Sequence, residues 1–342
     1  MVEKMQAVVC RSPHDMGVEM RPKAAPAGGD ALLRILRAGI CGTDYHIYSG
    51  QQPFLNYPRV IGHELAGEIV SAPPGSGWAT GQLAVVNPYL SCGSCHACRG
   101  GLPNCCMKIS VLGVHQDGGM AEYLSVPVGN LVPAGALTPD QAGSVEFLAI
   151  GAHAVRRGGV NPGQRVLVIG AGPIGIGAAI FARIAGGQVT IVDRDPGRLA
   201  LVGDVTGITD LIVADGGLTR ALAEVTGGDG FDVVFEATGN PASMAASFAH
   251  VAHGGALVLV GLVKAEISFS DPELHKREMS VLASRNATRM DFDKVMAAML
   301  TGEVDVNRLI THRTTLARVA TDLPLWAAHK DGLIKAMVEF AP

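Results

Sequence analysis

The sequence predicts an α/β protein with a doubly wound parallel sheet preceded by a mainly β body. A chain of 342 residues is too long for one ordinary core, so two domains are expected. The first half has short apolar runs separated by Gly and Pro, whereas from residue 165 onward apolar strands alternate with helical stretches. Such alternation is typical of βαβ units, in which helices cover both faces of a parallel sheet.

The expected strands follow these apolar runs. In the first half they are residues 31–36, 60–70 and 83–86. In the second half they are residues 165–169, 189–192, 211–213, 232–235, 256–260 and 280–283. From Asp291 the apolar spacing is helical, and a last strand is expected over residues 334–340.

The composition narrows the classes of partner. The net charge of −4 provides no basic surface, which argues against a nucleic-acid partner. Neither a secretory signal nor an uncharged apolar run of membrane-spanning length is present in the sequence. Seven cysteines, four of them at metal-binding spacing, suit a reducing compartment. We therefore expect a cytoplasmic protein that acts on a small molecule, without nucleic acid or membrane as a partner.

A run of four cysteines is the most specific motif of the chain. Its spacing is Cys-x2-Cys-x2-Cys-x7-Cys, formed by Cys92, Cys95, Cys98 and Cys106. Four thiolates in a loop broken by Gly and Pro can surround one tetrahedral Zn²⁺ and leave no open position, so the predicted site is structural. Free thiols, a disulfide pair or an iron–sulfur cluster are the alternatives. Cys105 competes for the fourth position, and the spacing favours Cys106.

A glycine-rich turn predicts a dinucleotide site. It follows a predicted strand and opens an apolar helix, and its residues are Gly170, Ala171, Gly172, Pro173, Ile174 and Gly175. In this context the glycines allow a pyrophosphate to approach the helix N-terminus. Asp193, about 20 residues on, ends the next strand and would accept hydrogen bonds from the adenosine ribose, which favours NAD over NADP. Arg194 and Arg198 follow closely and weaken this preference, and Arg198 is included among the cofactor-binding residues.

A second metal site is suggested by Cys41, His63 and Glu64. A thiolate, an imidazole and a carboxylate with an open fourth position suit a catalytic zinc. Neighbours on a regular strand point to opposite faces, so His63 and Glu64 share a metal only if the chain bends. Gly62 would permit that bend.

Taken together, these motifs closely resemble the zinc-dependent medium-chain alcohol and polyol dehydrogenases over essentially the whole chain. The resemblance implies a GroES-like catalytic β domain with the structural zinc lobe at residues 1–150, a Rossmann domain at 151–284 and a return segment at 285–342. It also implies a homodimer or homotetramer, NAD, and both a catalytic and a structural zinc.

The same resemblance assigns the remaining site residues. Cys41 and His63 become zinc ligands, with Glu64 a direct ligand in the polyol branch and Glu146 a direct or water-bridged one. The cysteine that simple alcohol dehydrogenases carry near Glu146 is missing, which favours the polyol and threonine branch. Asp44 would orient the zinc-bound histidine, and Thr43 and His46 would form the proton relay. The segments expected beside the nicotinamide and substrate are Val260, Gly261 and Leu262, and Ser284, Arg285 and Asn286.

A narrower likeness concerns the substrate. Segments at residues 52–60, 109–119 and 269–288 resemble bacterial hexonate 5-dehydrogenases, which oxidise C5 of L-galactonate or L-gulonate. A substrate carboxylate needs a cation or a donor cluster, so Arg285 is the first candidate to bind it and His115 a lesser one. A sorbitol-type polyol dehydrogenase or an L-threonine dehydrogenase is the alternative enzyme. A non-catalytic NAD-binding sensor is the alternative of a different class.

Overall fold

The computed structural model describes residues 3–341. Its strands are β1 (Lys4–Ser12), β2 (Asp15–Pro22), β3 (Asp30–Ile40), β4 (Arg59–Val60), β5 (Glu64–Ser71), β6 (Leu83–Val86), β7 (Tyr89–Leu90), β8 (Ser110–Val111), β9 (Tyr123–Pro127), β10 (Leu131–Pro133), β11 (Arg165–Ile169), β12 (Gln188–Asp193), β13 (Asp210–Val213), β14 (Phe231–Glu236), β15 (Val251–Leu259), β16 (Ser280–Ala283), β17 (Ile310–Thr315) and β18 (Lys335–Glu339).

The α-helices follow the same chain order. They are α1 (Gly42–Tyr48), α2 (His96–Arg99), α3 (Pro139–Gly143), α4 (Val145–Gly158), α5 (Pro173–Ile184), α6 (Pro196–Thr206), α7 (Leu218–Thr226), α8 (Pro241–Ser247), α9 (Asp271–Lys276), α10 (Arg289–Leu300), α11 (Val306–Leu309) and α12 (Val319–Ala328). Among the described residues no helix is long and apolar enough to cross a bilayer.

The chain divides into two compact units. The first comprises Met1–Glu146 and Thr288–Pro342, and the second comprises Phe147–Ala287. In the first unit the main sheet has the order β10-β6-β5-β3-β18-β17, with β9 also paired to β3. Strand β18 runs antiparallel to β3 with Ala336 opposite Ile40, so the end of the chain completes the sheet that the N-terminal half begins.

The first unit differs from the sequence prediction at residues 60–70. Instead of one strand, β4 pairs with β1 and β5 pairs with β3, and residues 61–63 lie between them outside any strand. Gly62 occupies this break with a φ of +94°, a conformation that favours glycine. The break lets His63 and Glu64 leave the strict alternation of a regular strand, which bears directly on the metal site.

The second unit has one parallel sheet of order β13-β12-β11-β14-β15-β16. This doubly wound order, with helices between successive strands, confirms the predicted fold class. The central strands form because their apolar side chains are buried on both faces, as in Leu167, Val234 and Leu257, all fully buried, whereas the edge strands β13 and β16 are partly exposed. The order reverses beside β11, and ligands of such sheets bind outside the carboxyl ends of the strands at that point.

Candidate functional site

The four cysteines predicted to bind structural zinc lie together. The sulfurs of Cys92, Cys95, Cys98 and Cys106 all lie within 4.8 Å of one another, and Cys95 Sγ is 3.5 Å from Cys98 Sγ and 3.9 Å from Cys106 Sγ. Zinc–sulfur bonds of about 2.3 Å in a tetrahedron place sulfurs about 3.8 Å apart, so the four thiols fit a zinc ion. All are free thiols, and the disulfide alternative is therefore wrong.

Backbone groups of this lobe favour bound thiolates. The N–H groups of residues Cys92 and Lys108 each donate to Cys106 Sγ at 3.3 Å. A hydrogen bond from the Ser94 backbone lowers the pKa of Cys92 to about 6, and the thiolate is the form that binds metal. Cys105 is exposed and lies outside the cluster, as its spacing predicts.

The second predicted metal site is also assembled. Ligand atoms of Cys41, His63 and Glu64 lie within 4.8 Å of one another. Cys41 precedes α1, and the break at Gly62 brings His63 and Glu64 to one side. His63 is 5% exposed and Glu64 is fully buried. A soft thiolate, an imidazole and a carboxylate in this compact arrangement are a donor set that fits Zn²⁺.

Asp44 lies beside His63 in the same buried site. Its Oδ2 accepts a hydrogen bond from the Cys41 N–H at 2.9 Å, whereas Asp44 Oδ1 and His63 Nδ1 are both buried without a partner. Burial opposes protonation of His63, but the neighbouring Cys41, Asp44 and Glu146 outweigh it and raise the pKa of His63. Burial has the opposite effect on Asp44 and raises the pKa of its carboxyl group. This excess of negative groups is suited to a divalent cation.

Glu146 borders the three-residue cluster without belonging to it. It is buried in the first turn of α4 and accepts a short hydrogen bond from the hydroxyl of Tyr89. Burial raises the pKa of Glu146 to about 7. The carboxylate is therefore held near His63 by a partner that sequence reasoning did not identify.

Lys335 is a further residue that the sequence did not indicate. Its Nζ donates to both carboxylate oxygens of Glu64, at 2.7 and 2.8 Å, and to the carbonyl oxygen of Ile40 at 3.1 Å. Lys335 lies within the apolar run that predicted the last strand. A lysine is rarely buried without a partner, so its place in this run could have indicated a buried ion pair.

The predicted proton relay lies on α1. Thr43 and His46 are three residues apart on this helix, a spacing that places them on one face. Burial, and then the positive charge of Lys330, lowers the pKa of His46. His46 is thereby favoured as a neutral imidazole, the form that accepts a proton.

The glycine turn has the geometry of an anion site. Helix α5 begins after Gly172, which offers no side-chain cap, so the first N–H groups of the helix remain for a ligand. A Cβ on Gly175 would collide with the carbonyl oxygen of Gly170, so the tight turn requires glycine. Asp193 at the end of β12 accepts the Ala171 N–H at 2.7 Å and thus also fixes the turn.

Other predicted cofactor residues leave the same edge of the sheet. Val260, Gly261 and Leu262 follow β15, and Leu262 is 73% exposed. The segment from Ser284 to Asn286 follows β16, and Asn286 has a φ of +54°. Arg198 lies in the first turn of α6. Parallel strands place their carboxyl ends together, so these segments leave the sheet at the same edge as the turn at Gly170.

His115 lies in an exposed loop of the first unit. Its ring stacks on Phe54 with centroids 6.2 Å apart, and its Nδ1 accepts the Val111 N–H at 3.1 Å. The same loop is tied to the metal site, because the Gly119 N–H donates to the Gly62 carbonyl oxygen at 3.0 Å. Arg285, the other substrate candidate, is exposed in the second unit.

The chain is similar in sequence to known proteins. The family model of the alcohol dehydrogenase GroES-like domain matches residues 27–136, and that of zinc-binding dehydrogenases matches residues 173–301. The L-galactonate-5-dehydrogenase of Escherichia coli K12 is 43% identical over 98% of this chain and 99% of its own length. The chain belongs to the zinc-type alcohol dehydrogenase family.

This zinc-type alcohol dehydrogenase is also similar to a threonine dehydrogenase and to a solved structure that contains NADH. The L-threonine 3-dehydrogenase of Saccharopolyspora erythraea is 33% identical over 92% of this chain and 93% of its own length. The crystal structure of an alcohol dehydrogenase (rspB) from E. coli CFT073 with NADH has a TM-score of 0.93 at 29% identity, and covers 98% of this chain and 99% of that one. The protein is thus an oxidoreductase that uses zinc and a nicotinamide dinucleotide.

Proposed function

We propose that this alcohol dehydrogenase oxidises the C5 hydroxyl of a hexonate such as L-galactonate or L-gulonate to a ketone, with NAD⁺ as the hydride acceptor. The similarity to L-galactonate-5-dehydrogenase, 43% over nearly the full length, carries the choice of substrate. The compact Cys41, His63 and Glu64 cluster carries the choice of chemistry. The two arguments are independent and can be tested separately.

In this proposal Cys41, His63 and Glu64 hold the catalytic zinc, and Glu146 is a direct or water-bridged ligand. When bound, the zinc supplies a Lewis acid that stabilises negative charge on the substrate oxygen. Asp44 would orient His63 from beside it, since Asp44 Oδ1 and His63 Nδ1 are both buried without another partner. Thr43 would accept the proton of the substrate hydroxyl, and His46 would release that proton to solvent. His46 is suited to this role because burial and Lys330 lower its pKa.

The cofactor in this proposal is NAD rather than NADP. Within residues 3–341 the carboxylate of Asp193 accepts two backbone hydrogen bonds, from Ala171 and Asp195, and has acceptor positions left for ribose hydroxyls. A carboxylate at that position repels a 2′-phosphate.

The four-cysteine lobe holds the structural zinc. The seven free thiols support a reducing, cytoplasmic location, and the family supports a homodimer or homotetramer.

Arg285 is proposed to bind the substrate carboxylate, with His115 as a second contact. The loss of a charge-assisted contact to a bound anion costs roughly 2–5 kcal/mol, seen in kcat/KM. The experiment compares L-galactonate, L-gulonate and a matching alditol on the wild type, Arg285→Ala and the control Arg289→Ala. Arg289 is exposed and pairs with Asp293 on α10, so its removal should be neutral.

Each outcome of that experiment is informative. A loss on hexonates alone in Arg285→Ala supports the proposal, whereas equal losses on acid and alditol would leave Arg285 a cofactor or packing residue. A wild-type preference for the alditol or for L-threonine would move the enzyme to the polyol or threonine class.

The zinc chemistry is tested by Cys41→Ala. Turnover should be abolished while NADH binding persists, because the dinucleotide turn belongs to the second unit. Full activity in Cys41→Ala would rule out zinc-assisted oxidation at this site. A wild-type protein that binds NADH and oxidises no member of a substrate panel would instead be a sensor.

A further inference from the structure

A buried carboxylate at the end of β14 belongs to none of the sites above. Glu236 is fully buried. Its Oε1 accepts hydrogen bonds from the Thr238 hydroxyl, from the Thr238 N–H at 3.3 Å and from the Ser243 hydroxyl at 2.9 Å. Its Oε2 is buried without any hydrogen-bond partner, and no cation pairs with Glu236 within residues 3–341. Three hydrogen-bond donors therefore meet one oxygen of Glu236, while the other oxygen has no partner.

Glu236 lies between the two segments assigned to the dinucleotide. On one side Thr238, which it holds, packs against Gly170 of the glycine turn. On the other side the N–H groups of Val260 and Gly261 donate to the Glu236 carbonyl oxygen at 2.9 and 3.0 Å. A Cβ added to Gly261 would lie 3.2 Å from Oε2, so the unpaired oxygen faces the segment expected beside the nicotinamide.

An unpaired buried charge is costly, because neither water nor a countercharge compensates for its lost solvation. Its field also extends further than that of an exposed carboxylate, because the surrounding medium has a low dielectric constant. A ligand that brings positive charge to this edge of the sheet would therefore gain affinity from Glu236. The two redox forms of the cofactor differ in this respect: the nicotinamide ring is cationic in NAD⁺ and neutral in NADH.

We propose that Glu236 is a charge-selecting residue, whose buried carboxylate strengthens the binding of NAD⁺ relative to NADH. The pyrophosphate is common to both forms, so its repulsion by Glu236 cancels in the comparison. The inference rests on the proposed placement of the dinucleotide at residues 170–175 and 260–262. Glu236 would raise the fraction of bound cofactor that is NAD⁺, the form that accepts hydride from an alcohol.

The test measures the Kd of NADH by its fluorescence, and that of NAD⁺ by competition with NADH, on the zinc-loaded full-length protein. Glu236→Gln keeps the shape and the Oε1 acceptor but removes the charge. It should weaken NAD⁺ binding about tenfold, as expected for one unit charge acting through partly screened protein, and change the Kd of NADH less than about twofold. Glu236→Met is a second uncharged variant.

Two controls separate charge from structure. Asp232→Asn removes a carboxylate at the opposite end of β14, where it accepts the Arg165 N–H at 2.7 Å, and should leave the NAD⁺-to-NADH ratio unchanged. Thr238→Val removes a hydrogen bond to Glu236 but keeps the charge, and should change both dissociation constants by one common factor.

Equal weakening of NAD⁺ and NADH in both uncharged variants would overturn the inference and leave Glu236 a structural residue. The same ratio change in Asp232→Asn would also overturn it, because the effect would not be local. Failure of the wild type to bind NADH at all would instead overturn the proposed function. The two failures are therefore distinguishable.

Discussion

Lys335 and Glu64 form a fully buried ion pair inside the candidate catalytic site. The ammonium group lies 2.7 and 2.8 Å from the two carboxylate oxygens, and neither side chain is more than 1% exposed. Glu64 also belongs to the metal-ligand cluster with Cys41 and His63. The same carboxylate therefore contacts the lysine and belongs to the group of side chains that would hold a metal ion. The two hydrogen bonds from Lys335 hold Glu64 in position beside Cys41 and His63.

Lys335→Met tests this relationship. In zinc-free protein it should lower the free energy of unfolding of the first unit by about 3–5 kcal/mol, because Glu64 is left as an uncompensated buried charge. Zinc should restore part of the loss, because the ion supplies a new countercharge. The measurement is equilibrium urea denaturation with and without zinc.

The double variant Lys335→Met/Glu64→Gln is the matched control for that charge imbalance. It should be more stable than Lys335→Met alone, since no buried charge remains unpaired. A single variant as stable as the wild type without zinc would show that the pair contributes nothing to stability.

The structural zinc lobe contains its own internal control. Cys95→Ser should lower zinc content by one ion per chain and lower the Tm by about 5–10 °C, because metal binding there contributes to folding. Cys105→Ser should change neither quantity, since Cys105 is exposed and outside the cluster. Zinc analysis and thermal denaturation of the two variants check this. Equal effects of the two substitutions would contradict the assignment of Cys95 and Cys106 as ligands.

Local patterns explain why so much of the fold was predictable from sequence. The central strands of the parallel sheet are buried on both faces and appear as apolar runs, and the partly exposed edge strands β13 and β16 are short apolar runs as well, so each of the six was located. The strand ends were predicted less accurately. Strand β15 begins at Val251, five residues before the expected start. The prediction missed these residues because 253–255 are not apolar and interrupt the apolar run. The four-cysteine cluster was predicted because its ligands are close in sequence.

Contacts between distant residues were not predictable in this way. Lys335 lies 271 positions from Glu64 and reaches it only because β18 pairs with β3. Tyr89 and Glu146 are 57 positions apart and meet only in the folded first unit. Glu236 is a single acidic residue at a strand end, and nothing in the sequence distinguishes it from an exposed one. Side chains whose partners depend on tertiary pairing therefore required the structure.

Asp193 has two separable roles at the dinucleotide turn, and two substitutions distinguish them. Asp193→Ala removes both the charge and the bond to the Ala171 N–H, so the KM for NAD should rise at least about tenfold. Asp193→Asn keeps an oxygen acceptor for the turn and loses only the charge. It should retain more of the NAD affinity while its discrimination against NADP falls. Steady-state kinetics with both cofactors checks this, and a wild type that prefers NADP would contradict the role given to the charge.

The charge of Lys330 should be visible in the pH profile of the enzyme. Its Nζ lies 5.4 Å from the ring centroid of Tyr45, next to His46 in the chain. Burial first, and then Lys330, lowers the pKa of His46, because a nearby cation disfavours a second positive charge. Lys330→Met should therefore raise the pKa of His46. If neutral His46 accepts the proton, the acid-side inflection of kcat/KM must then move to higher pH.

Lys330→Arg is the control for that shift, because it keeps the positive charge at nearly the same place. Its acid-side inflection should stay with that of the wild type, while His46→Ala should remove the inflection altogether. The profile is measured as kcat/KM for the preferred substrate between about pH 5 and 9, the range in which histidine titrates. An unchanged inflection in Lys330→Met would mean that a group other than His46 limits the reaction at low pH. A shift in Lys330→Arg as large as in Lys330→Met would assign the effect to packing against Tyr45 instead of charge.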